Sequence, residues 1–296
     1  MPIKRNLKYW GSTVDLDMQY NYSVIIPYRD KYDLLLKAVE SVADRSDIQI
    51  IIVDNGEQPL SDGHIPAKSY AHIDYLTSSP TKGAGCARNV GLGFVKGKYI
   101  LFLDADDYFT PTAFESFDKY LDKGFDIVYF KSDSVSIKDG SRGKRHEVIN
   151  NLISSYSKTG KDDILRYRFV NPVAKMMDSD FVLKSGVVFD EIPVSNDVWF
   201  SVLTGYHAKN VAADEDVVYV ITVADRGGSL TRSLTKENWF IRFQVMVKVN
   251  QFLRSIGKYE YRIRLLGGLR IALKEFGIKE LWRFYRYARN NKVGIF

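Results

Sequence analysis

The sequence contains a single cysteine, Cys86, so the chain forms no internal disulfide and offers no multi-cysteine zinc site. It has no uninterrupted apolar run of ~20 residues, which is the length needed to cross a bilayer. Residues 1–23 also lack an apolar core of signal-peptide length, and we find neither an internal repeat nor a low-complexity tract. These absences predict a protein of the reducing cytoplasm that does not span a membrane.

Charge is distributed unevenly along the 296 residues, of which 45% are hydrophobic and 26% are charged. This composition is typical of a globular chain with one large domain, or with one domain and an appendage. Residues 232–296 carry 15 Lys+Arg and 4 Asp+Glu, whereas residues 1–231 carry 27 and 32. We therefore expect an acidic domain over 1–231 and a basic, aromatic, helical extension over 232–296.

Strand and helix patterns alternate through the first third of the chain. The segments "YSVIIPY", "IQIIIVDNG", "IDYLTSS" and "KYILFLDADD" predict strands of a mainly parallel sheet, and "DIVYFKSDSVS" predicts a fifth strand. The segment "GAGCARNVGLGFVKG" predicts a helix with a glycine-rich entry and with Gly97 as its C-terminal stop. The alternation predicts a Rossmann-like α/β fold whose ligands lie beyond the carboxyl ends of the strands.

Polar side chains follow three of these strands at the point where each strand ends. They are Tyr28, Arg29, Asp30, Asp54, Asn55, Asp104, Asp106 and Asp107. Each of them alone is also compatible with a turn or a helix cap. Because three strand ends converge on the same edge of a parallel sheet, the set predicts one polar crevice.

The order of seven segments carries a resemblance to a known family. They are "SVIIPYRDK", "IIIVDNG", "KGAGCARNVGL", "GKYILFLDADD", "NPVAKMMDSDFVLKSGVVFDE", "SNDVWF" and "GGSLTR". In this order and at these distances they resemble a family 2 glycosyltransferase of the GT-A fold, over about residues 22–230. Such enzymes are inverting, use nucleotide sugars, and are common in bacterial surface-polysaccharide synthesis. The resemblance implies a nucleotide-sugar half over about 22–135 and an acceptor half over about 160–231.

The resemblance also implies which residues bind the nucleotide sugar. They are Pro27, Tyr28, Arg29, Asp54, Lys82, Gly83, Arg88, Asp104, Ala105, Asp106 and Arg226. Asp54 resembles the residue that accepts a hydrogen bond from uracil, Tyr28 is placed to stack on the base, and Arg29 and Arg88 to reach the base or the phosphates. Arg226 lies in the segment that resembles the family's late loop over the diphosphate, in which Asp225 is a candidate for a further metal contact.

The first segment departs from the common Pro-Thr-Tyr-Asn pattern, because Pro27 is followed by Tyr28, Arg29 and Asp30. This variant is similar to the strand end of some galactosyl- and N-acetylgalactosaminyltransferases. It favours a UDP-sugar as the donor of a hexosyl- or N-acetylhexosaminyltransferase.

The D-x-D-D cluster predicts a divalent cation site. Asp104 and Asp106 point to the same side of an extended segment, and by the resemblance they hold the Mn²⁺ or Mg²⁺ that bridges the diphosphate. Asp107 points elsewhere, and either caps the next segment or orients the sugar. None of the four histidines has a partner at ligand spacing, so we assign none of them to the metal. The alternative for the whole cluster is a capped turn.

The segment "SNDVWF" stands where relatives carry an acidic pair at the start of a helix. Asn196 replaces the first acid and Asp197 retains the second, so we predict Asp197 as the base that deprotonates the acceptor hydroxyl. The alternative is that Ser195, Asn196 or Asp197 only caps the helix. Asp190 and Glu191 are then the nearest other candidates for the base.

Two basic segments each have two interpretations. The segment "GSRGKRH" is either a loop beside an anionic ligand or solvated surface. The extension over 232–296 either lies on anionic lipid, with the protein peripheral on the inner face of the membrane, or packs on the catalytic domain. A lipid-linked saccharide acceptor would suit the first of these two alternatives.

Three rival functions compete with the glycosyltransferase. A nucleic-acid binder is suggested by the isoelectric point near 9.1, but the acidic domain and the absence of a recognisable nucleic-acid module argue against it. A sugar-nucleotide nucleotidyltransferase would carry a glycine-rich, basic loop after the first strand. The segment "IIPYRDKYD" at this place is not such a loop. A non-catalytic relative usually loses the D-x-D, which is present here. We therefore expect a nucleotide-sugar donor, a saccharide acceptor and no nucleic-acid partner.

Overall fold

The computed structural model describes residues 18–61, 64, 66–223 and 235–294. Its centre is a single sheet of eight described strands in the order β3-β2-β1-β4-β7-β6-β8-β5. The strands are β1 Tyr20–Tyr28, β2 Ile48–Asp54, β3 His72–Thr77, β4 Gly97–Phe102, β5 Tyr108–Phe109, β6 Ile127–Ser136, β7 Lys175–Asp178 and β8 Val211–Val223. Strands β1 to β4 pair in parallel, as the sequence predicts.

Helices cover the sheet. They are α1 Tyr32–Ser41, α2 Gly83–Leu92, α3 Ala113–Asp118, α4 His146–Thr159, α5 Asp163–Arg168, α6 Ser179–Ser185, α7 Asn196–His207, α8 Lys236–Ser255, α9 Leu265–Phe276 and α10 Ile278–Asn290. Strand β2 is buried along its whole length, which explains why its sequence is mostly apolar rather than alternating. The predicted α/β, mainly parallel fold is confirmed.

Gly97 does not end a helix, which corrects the sequence-based prediction. Helix α2 ends at Leu92, and Gly97 is the first residue of β4. A Cβ atom at this position would lie 2.3 Å from the carbonyl carbon of Tyr22 on β1 and 2.8 Å from the Ser23 hydroxyl. The glycine therefore allows two strands to approach closely.

Strands β5 to β8 complete the sheet and place β8 next to the D-x-D-D turn. Strand β7 is antiparallel to both β4 and β6, and β8 is parallel to β6. Tyr108 and Phe109, which follow the aspartates directly, pair with β8 in the antiparallel sense. Residues of β8 therefore lie beneath the acidic turn.

The C-terminal extension is helical, as predicted, and α8 packs on the domain. Val249 and Leu253 of α8 form a buried cluster with Tyr167 and with Val202 of α7. Full burial of two such side chains contributes about 3–6 kcal/mol to the stability of the fold. Helices α8, α9 and α10 share a second apolar cluster of their own.

Two ion pairs reinforce the attachment of the extension. The Lys248 Nζ atom lies 3.0 Å from the Asp190 carboxylate, and the Lys258 Nζ atom lies 2.5 Å from that of Asp163. Of the two interpretations of the extension, packing on the domain is therefore present for α8. No described helix is long and apolar enough to cross a membrane.

Candidate active site

A cleft of about 640 Å³ opens at the carboxyl ends of β1 and β4. Nine of the predicted site residues line it, and they are Pro27, Tyr28, Arg29, Gly83, Arg88, Asp104, Ala105, Asp106 and Asp197. Lys82 and Asp54 are not among the lining residues. Arg226 and Asp225 lie outside the described residues. The predicted convergence of strand ends on one crevice is therefore present.

The end of β1 forms one wall of this cleft. Tyr28 is buried there, and burial together with the nearby Asp54 carboxylate raises the pKa of its hydroxyl. The Arg29 guanidinium lies 3.2 Å from the Asp30 carboxylate and donates to the Pro80 carbonyl at 3.4 Å. Asp30 has a φ of 55°, in the left-handed region, where the chain turns from β1 towards α1. This wall of the cleft is thus formed by the Tyr28 ring, the Arg29 guanidinium and the Asp30 carboxylate.

The Asp54 carboxylate accepts hydrogen bonds from nearby residues with both of its oxygens. It is buried at the end of β2, where one oxygen accepts from the Gly56 N–H at 2.8 Å. The other accepts from the Tyr75 hydroxyl at 2.7 Å and from the Leu60 N–H at 3.1 Å. In this arrangement Asp54 stabilises the loop after β2, while its neighbour Asn55 lines the cleft. Recognition of uracil by Asp54 stays a prediction.

The three aspartates of the turn lie close together, with one carboxylate oxygen of each within 4.8 Å of the others. Asp107 points inward, where it accepts from the Tyr219 hydroxyl at 2.9 Å and from the Thr222 N–H at 2.7 Å. It therefore fastens the turn to β8, a role that neither sequence-based alternative for Asp107 included. Burial, and then the charges of Asp106 and Asp104, raise its pKa well above the ordinary value.

Asp106 faces the cleft. Its side chain is exposed to the cleft, and among the described residues no side chain forms a hydrogen bond or an ion pair with its carboxylate. Partial desolvation by the cleft wall, followed by the charge of Asp104, raises the pKa of Asp106. A cation between neighbouring carboxylates relieves the repulsion between their negative charges.

The acidic turn fits a hard divalent cation. Arg88 occupies one oxygen of Asp104 at 2.5 Å, which leaves the other oxygen of Asp104 and the carboxylate of Asp106 directed at the cleft. Carboxylate oxygens are the ligands that Mg²⁺ and Mn²⁺ prefer. Asp107 contributes little to such a site, because both of its oxygens already accept hydrogen bonds.

Arg88 joins the two halves of the cleft. This buried side chain of α2 donates to Asp104 and, at 2.9 Å, to the Oδ1 atom of Asn196 on α7. Its guanidinium lies over the ring of Phe189 at 5.3 Å, and its Nε–H has no partner among the described residues. Arg88 therefore fixes the start of α7 relative to the acidic turn. The predicted contact of Arg88 with the base or the phosphates stays a prediction.

Asp197 is the second residue of α7 and lines the same cleft as the acidic turn. Ser195 is the N-cap residue, with a φ of 56°, and its side chain makes no capping hydrogen bond. Burial raises the pKa of Asp197, and the positive charge of Arg88 opposes this rise. The carboxylate is thus a better proton acceptor than an ordinary aspartate.

The two alternative candidates for the base, Asp190 and Glu191, form ion pairs with lysines. Both oxygens of Asp190 lie 3.0 Å from Lys248, and Glu191 pairs with Lys82 at 2.7 Å. Neither carboxylate lines the cleft. The geometry therefore favours Asp197.

Sequence reasoning missed several cations of the site. Lys31, Arg145 and Arg242 all line the cleft. Arg145 belongs to the "GSRGKRH" segment, so that segment does reach the cleft. Arg242 comes from α8 in the extension, and only the packing of that helix reveals it.

Lys175 is a further cation beside the site that sequence reasoning did not identify. It is completely buried at the start of β7, and its Nζ donates to the Phe169 carbonyl at 2.8 Å. Burial lowers its pKa to about 7, while the charge of Asp197 opposes this shift. Asp197 therefore lies within electrostatic range of Lys175, Arg88 and Arg242.

Comparison with known proteins identifies the family. The model of glycosyl transferase family 2 matches residues 23–183, more than half of the chain. The chain is 30% identical over 145 residues to the minor teichoic acid biosynthesis protein GgaB of Bacillus subtilis, covering 46% of this chain and 16% of GgaB. It is 25% identical over 249 residues to the UDP-Glc:α-D-GlcNAc-diphosphoundecaprenol β-1,3-glucosyltransferase WfaP of Escherichia coli, covering 81% of this chain and 89% of WfaP.

Among solved structures, S. aureus TarS in complex with UDP-GlcNAc matches with a TM-score of 0.64 at 16% identity, over 90% of this chain and 79% of that one. This likeness shows a GT-A fold. The chain belongs to glycosyltransferase family 2. It spans less than two thirds of the length of GgaB and of several other curated relatives.

Proposed function

We propose that the protein is an inverting, metal-dependent glycosyltransferase that moves a hexosyl or N-acetylhexosaminyl group from a UDP-sugar to a saccharide acceptor in surface-polysaccharide synthesis. One observation carries the proposal. One cleft at the carboxyl ends of β1 and β4 holds two carboxylates suited to a divalent cation, Asp104 and Asp106, and a third suited to act as a base, Asp197. TarS binds UDP-GlcNAc and WfaP is named for UDP-Glc, which supports a UDP-sugar here as well.

The nucleotide half of the cleft suits a donor with an aromatic base and a diphosphate. Tyr28 offers a ring to the base, and Lys31 and Arg145 offer positive charge on the same side as Asp106. Asp106 and the unoccupied oxygen of Asp104 would hold Mn²⁺ or Mg²⁺. When bound, such an ion stabilises the negative charge that develops on the departing diphosphate.

The acceptor half supplies the base. In an inverting transfer, the acceptor oxygen forms a bond to the anomeric carbon while the bond from that carbon to the UDP oxygen breaks. Asp197 takes the proton of the acceptor hydroxyl, and UDP leaves with the electron pair of the broken bond. Arg88 holds the start of α7 against Asp104, so that Asp197 and the acidic turn keep a fixed separation.

The acceptor in this proposal is a saccharide, free or lipid-linked. WfaP is named for an acceptor linked to diphosphoundecaprenol. Because such an acceptor is held in a membrane, the proposal includes contact between the basic extension 232–296 and an anionic lipid surface on the cytoplasmic side.

Slow hydrolysis of the donor tests this function without knowledge of the acceptor. The purified protein is incubated with UDP-, GDP- and CMP-sugars in Mn²⁺, in Mg²⁺ or in EDTA, and release of the nucleotide is measured. We expect turnover of a UDP-sugar that needs the divalent ion. NMR of the first-formed sugar should show inversion at the anomeric carbon. Equal turnover in EDTA, preference for another nucleotide, or retention of configuration would contradict the proposal.

A further inference from the structure

A second groove lies between α8 and α10 and has a volume of about 580 Å³. We call it the basic groove. It is lined by Phe240, Lys279, Trp282, Arg283, Arg286, Tyr287 and Asn290. The lining thus contains three cations, three aromatic rings and no carboxylate. Nothing in the proposed catalytic chemistry uses it.

The charge of the basic groove is only partly balanced. Arg283 pairs with Glu280 at 3.1 Å and lies over the Phe240 ring at 3.8 Å. Within the described part of the extension, neither Lys279 nor Arg286 forms an ion pair, and both side chains are exposed. The groove therefore carries uncompensated positive charge that complements an anionic partner.

Apolar side chains stand exposed beside these cations. Trp282 is 52% exposed and Ile278 is 56% exposed, one turn apart on α10. The opposite face of the helix is already buried through Phe284 and Ala288, so these exposed side chains are additional to the fold. Tryptophan next to lysine and arginine is the combination that proteins place at the headgroup level of membranes.

A lipid surface fits this combination better than a nucleic acid does. Both partners would satisfy the cations, and both would contact the indole ring. Only a lipid surface also offers an apolar phase to an exposed isoleucine, because Ile278 has no aromatic face on which a base can stack.

The basic groove lies close to the active site. Phe240 lines the groove and Arg242 lines the cleft, and both belong to α8. Two residues along a helix correspond to a rotation of about 200°, so the side chains leave opposite sides of one helix that is about 10–12 Å thick. A membrane bound at the groove therefore lies about one helix diameter from the cleft.

We propose that the basic groove is the site at which the protein docks on an anionic lipid surface, with Trp282 and Ile278 entering the headgroup layer and Lys279 and Arg286 contacting lipid phosphates. This inference deepens the membrane contact of the proposed function by naming the face that makes it. It does not depend on the catalytic residues.

Co-sedimentation of the full chain with vesicles tests the proposal. The vesicles contain phosphatidylcholine alone or phosphatidylcholine with phosphatidylglycerol, at low and at high salt. We expect the protein to pellet only with the anionic vesicles and to be released by high salt. Each cation near an anionic surface strengthens binding about fivefold, so Lys279→Glu with Arg286→Glu should weaken the partitioning by at least about 25-fold. Trp282→Ala should weaken it severalfold.

Matched controls separate the groove from net charge and from the fold. Lys123→Glu with Lys161→Glu makes the same change in net charge on the glycosyltransferase domain and should bind vesicles nearly as well as the wild type. The groove variants and the Lys123/Lys161 control should all keep the wild-type melting temperature and rate of donor hydrolysis. The variant Asp106→Ala, which changes the donor site, should still pellet with the anionic vesicles.

Three outcomes would overturn the proposal in distinguishable ways. If the wild type stays in the supernatant, membrane contact fails altogether, while donor hydrolysis still reports on the enzyme. If the protein pellets but the groove variants bind as the wild type does, another surface makes the contact. Stronger binding to single-stranded RNA than to the anionic vesicles, lost in the same variants, would assign the groove to a nucleic acid.

Discussion

Asparagine at position 197 separates catalysis by Asp197 from any structural role of that residue. Asparagine is close to aspartate in shape and still accepts hydrogen bonds, but it does not take up a proton. Loss of a positioned general base lowers the rate by ~10²–10⁴, which corresponds to about 2.7–5.4 kcal/mol in activation free energy. We expect a loss of this size in Asp197→Asn.

The same substitution should not destabilise the fold. Burial raises the pKa of Asp197 above that of an unfolded chain, and this net direction already includes the favourable charges of Arg88 and Lys175. An acid with a raised pKa binds its proton more tightly in the folded state. Its contribution to the free energy of unfolding is therefore largest at low pH and is lost as the pH rises through the raised pKa. At neutral pH, the uncharged asparagine should melt at the same temperature as aspartate or higher.

The pH dependence of the wild type follows from the same shift. The base must be ionised, so the rate of hydrolysis should rise with pH through the raised pKa of Asp197 and then level off. The charged groups that set this pKa come from four neighbouring elements and are Arg88, Asp104, Lys175 and Arg242. Asp197→Asn should lose this rise.

The assay measures UDP release from the best donor, together with donor affinity by calorimetry and the melting temperature. Asp190→Asn is the matched control, because it removes a nearby carboxylate that pairs with Lys248 and does not line the cleft. Asp190→Asn should retain near-wild-type turnover. A rate for Asp197→Asn within a few-fold of the wild type would refute the reasoning, as would an equal collapse in the control.

Two further predictions concern the loop after β2 and the extension. Asp54→Ala leaves the hydroxyl of the half-buried Tyr75 without its acceptor and should lower the free energy of unfolding by about 1–3 kcal/mol in urea denaturation. If Asp54 also recognises the uracil base, the variant should lose affinity for UDP and not for GDP. Equal losses of affinity for both nucleotides would restrict the role of Asp54 to the loop after β2. A chain truncated after residue 234 loses the buried contacts of Val249 and Leu253 as well as Arg242, so its melting temperature and donor turnover should both fall. A melting temperature and a donor turnover equal to those of the wild type would show that the domain is stable and active without α8.

The parallel half of the fold was predictable because its signals are local. Strands β1, β2 and β4 are mostly apolar runs, since most of their residues are buried. Polar residues follow each run, and parallel pairing brings those ends together without any long-range information. The D-x-D-D turn was found in this way, whereas Asp197 was predicted from the resemblance of "SNDVWF" to the acidic pair of related enzymes.

The antiparallel half was harder to predict because its strands are defined by their partners. Strand β7 has only four residues and begins with Lys175, a residue type that is depleted in buried strands. Its lysine is tolerated because the Phe169 carbonyl accepts a hydrogen bond from the Nζ atom, and the rings of Tyr129 and Phe169 flank it. None of these partners is adjacent in sequence.

The same reason explains the errors and omissions within the site. Gly97 looked like a helix stop, but its function is set by the backbone of Tyr22 on a neighbouring strand. The hydrogen-bond donors to Asp54, Tyr75 among them, come from chain segments whose approach is visible only in three dimensions, and recognition of the base by Asp54 stays a prediction. Arg242 is brought to the cleft by the packing of α8 on α7.

Calorimetric titration of UDP in the presence of Mn²⁺ tests the central claim most directly, because the proposed donor site depends on the carboxylate of Asp106. The titration is run on the wild type, on Asp106→Ala and on Asp180→Ala, whose aspartate is exposed on α6 and pairs with Lys184. We predict that UDP binds the wild type and Asp180→Ala more tightly in Mn²⁺ than in EDTA, and that Asp106→Ala loses this difference. Unchanged affinity of Asp106→Ala for UDP in Mn²⁺ would show that Asp106 does not hold the cation.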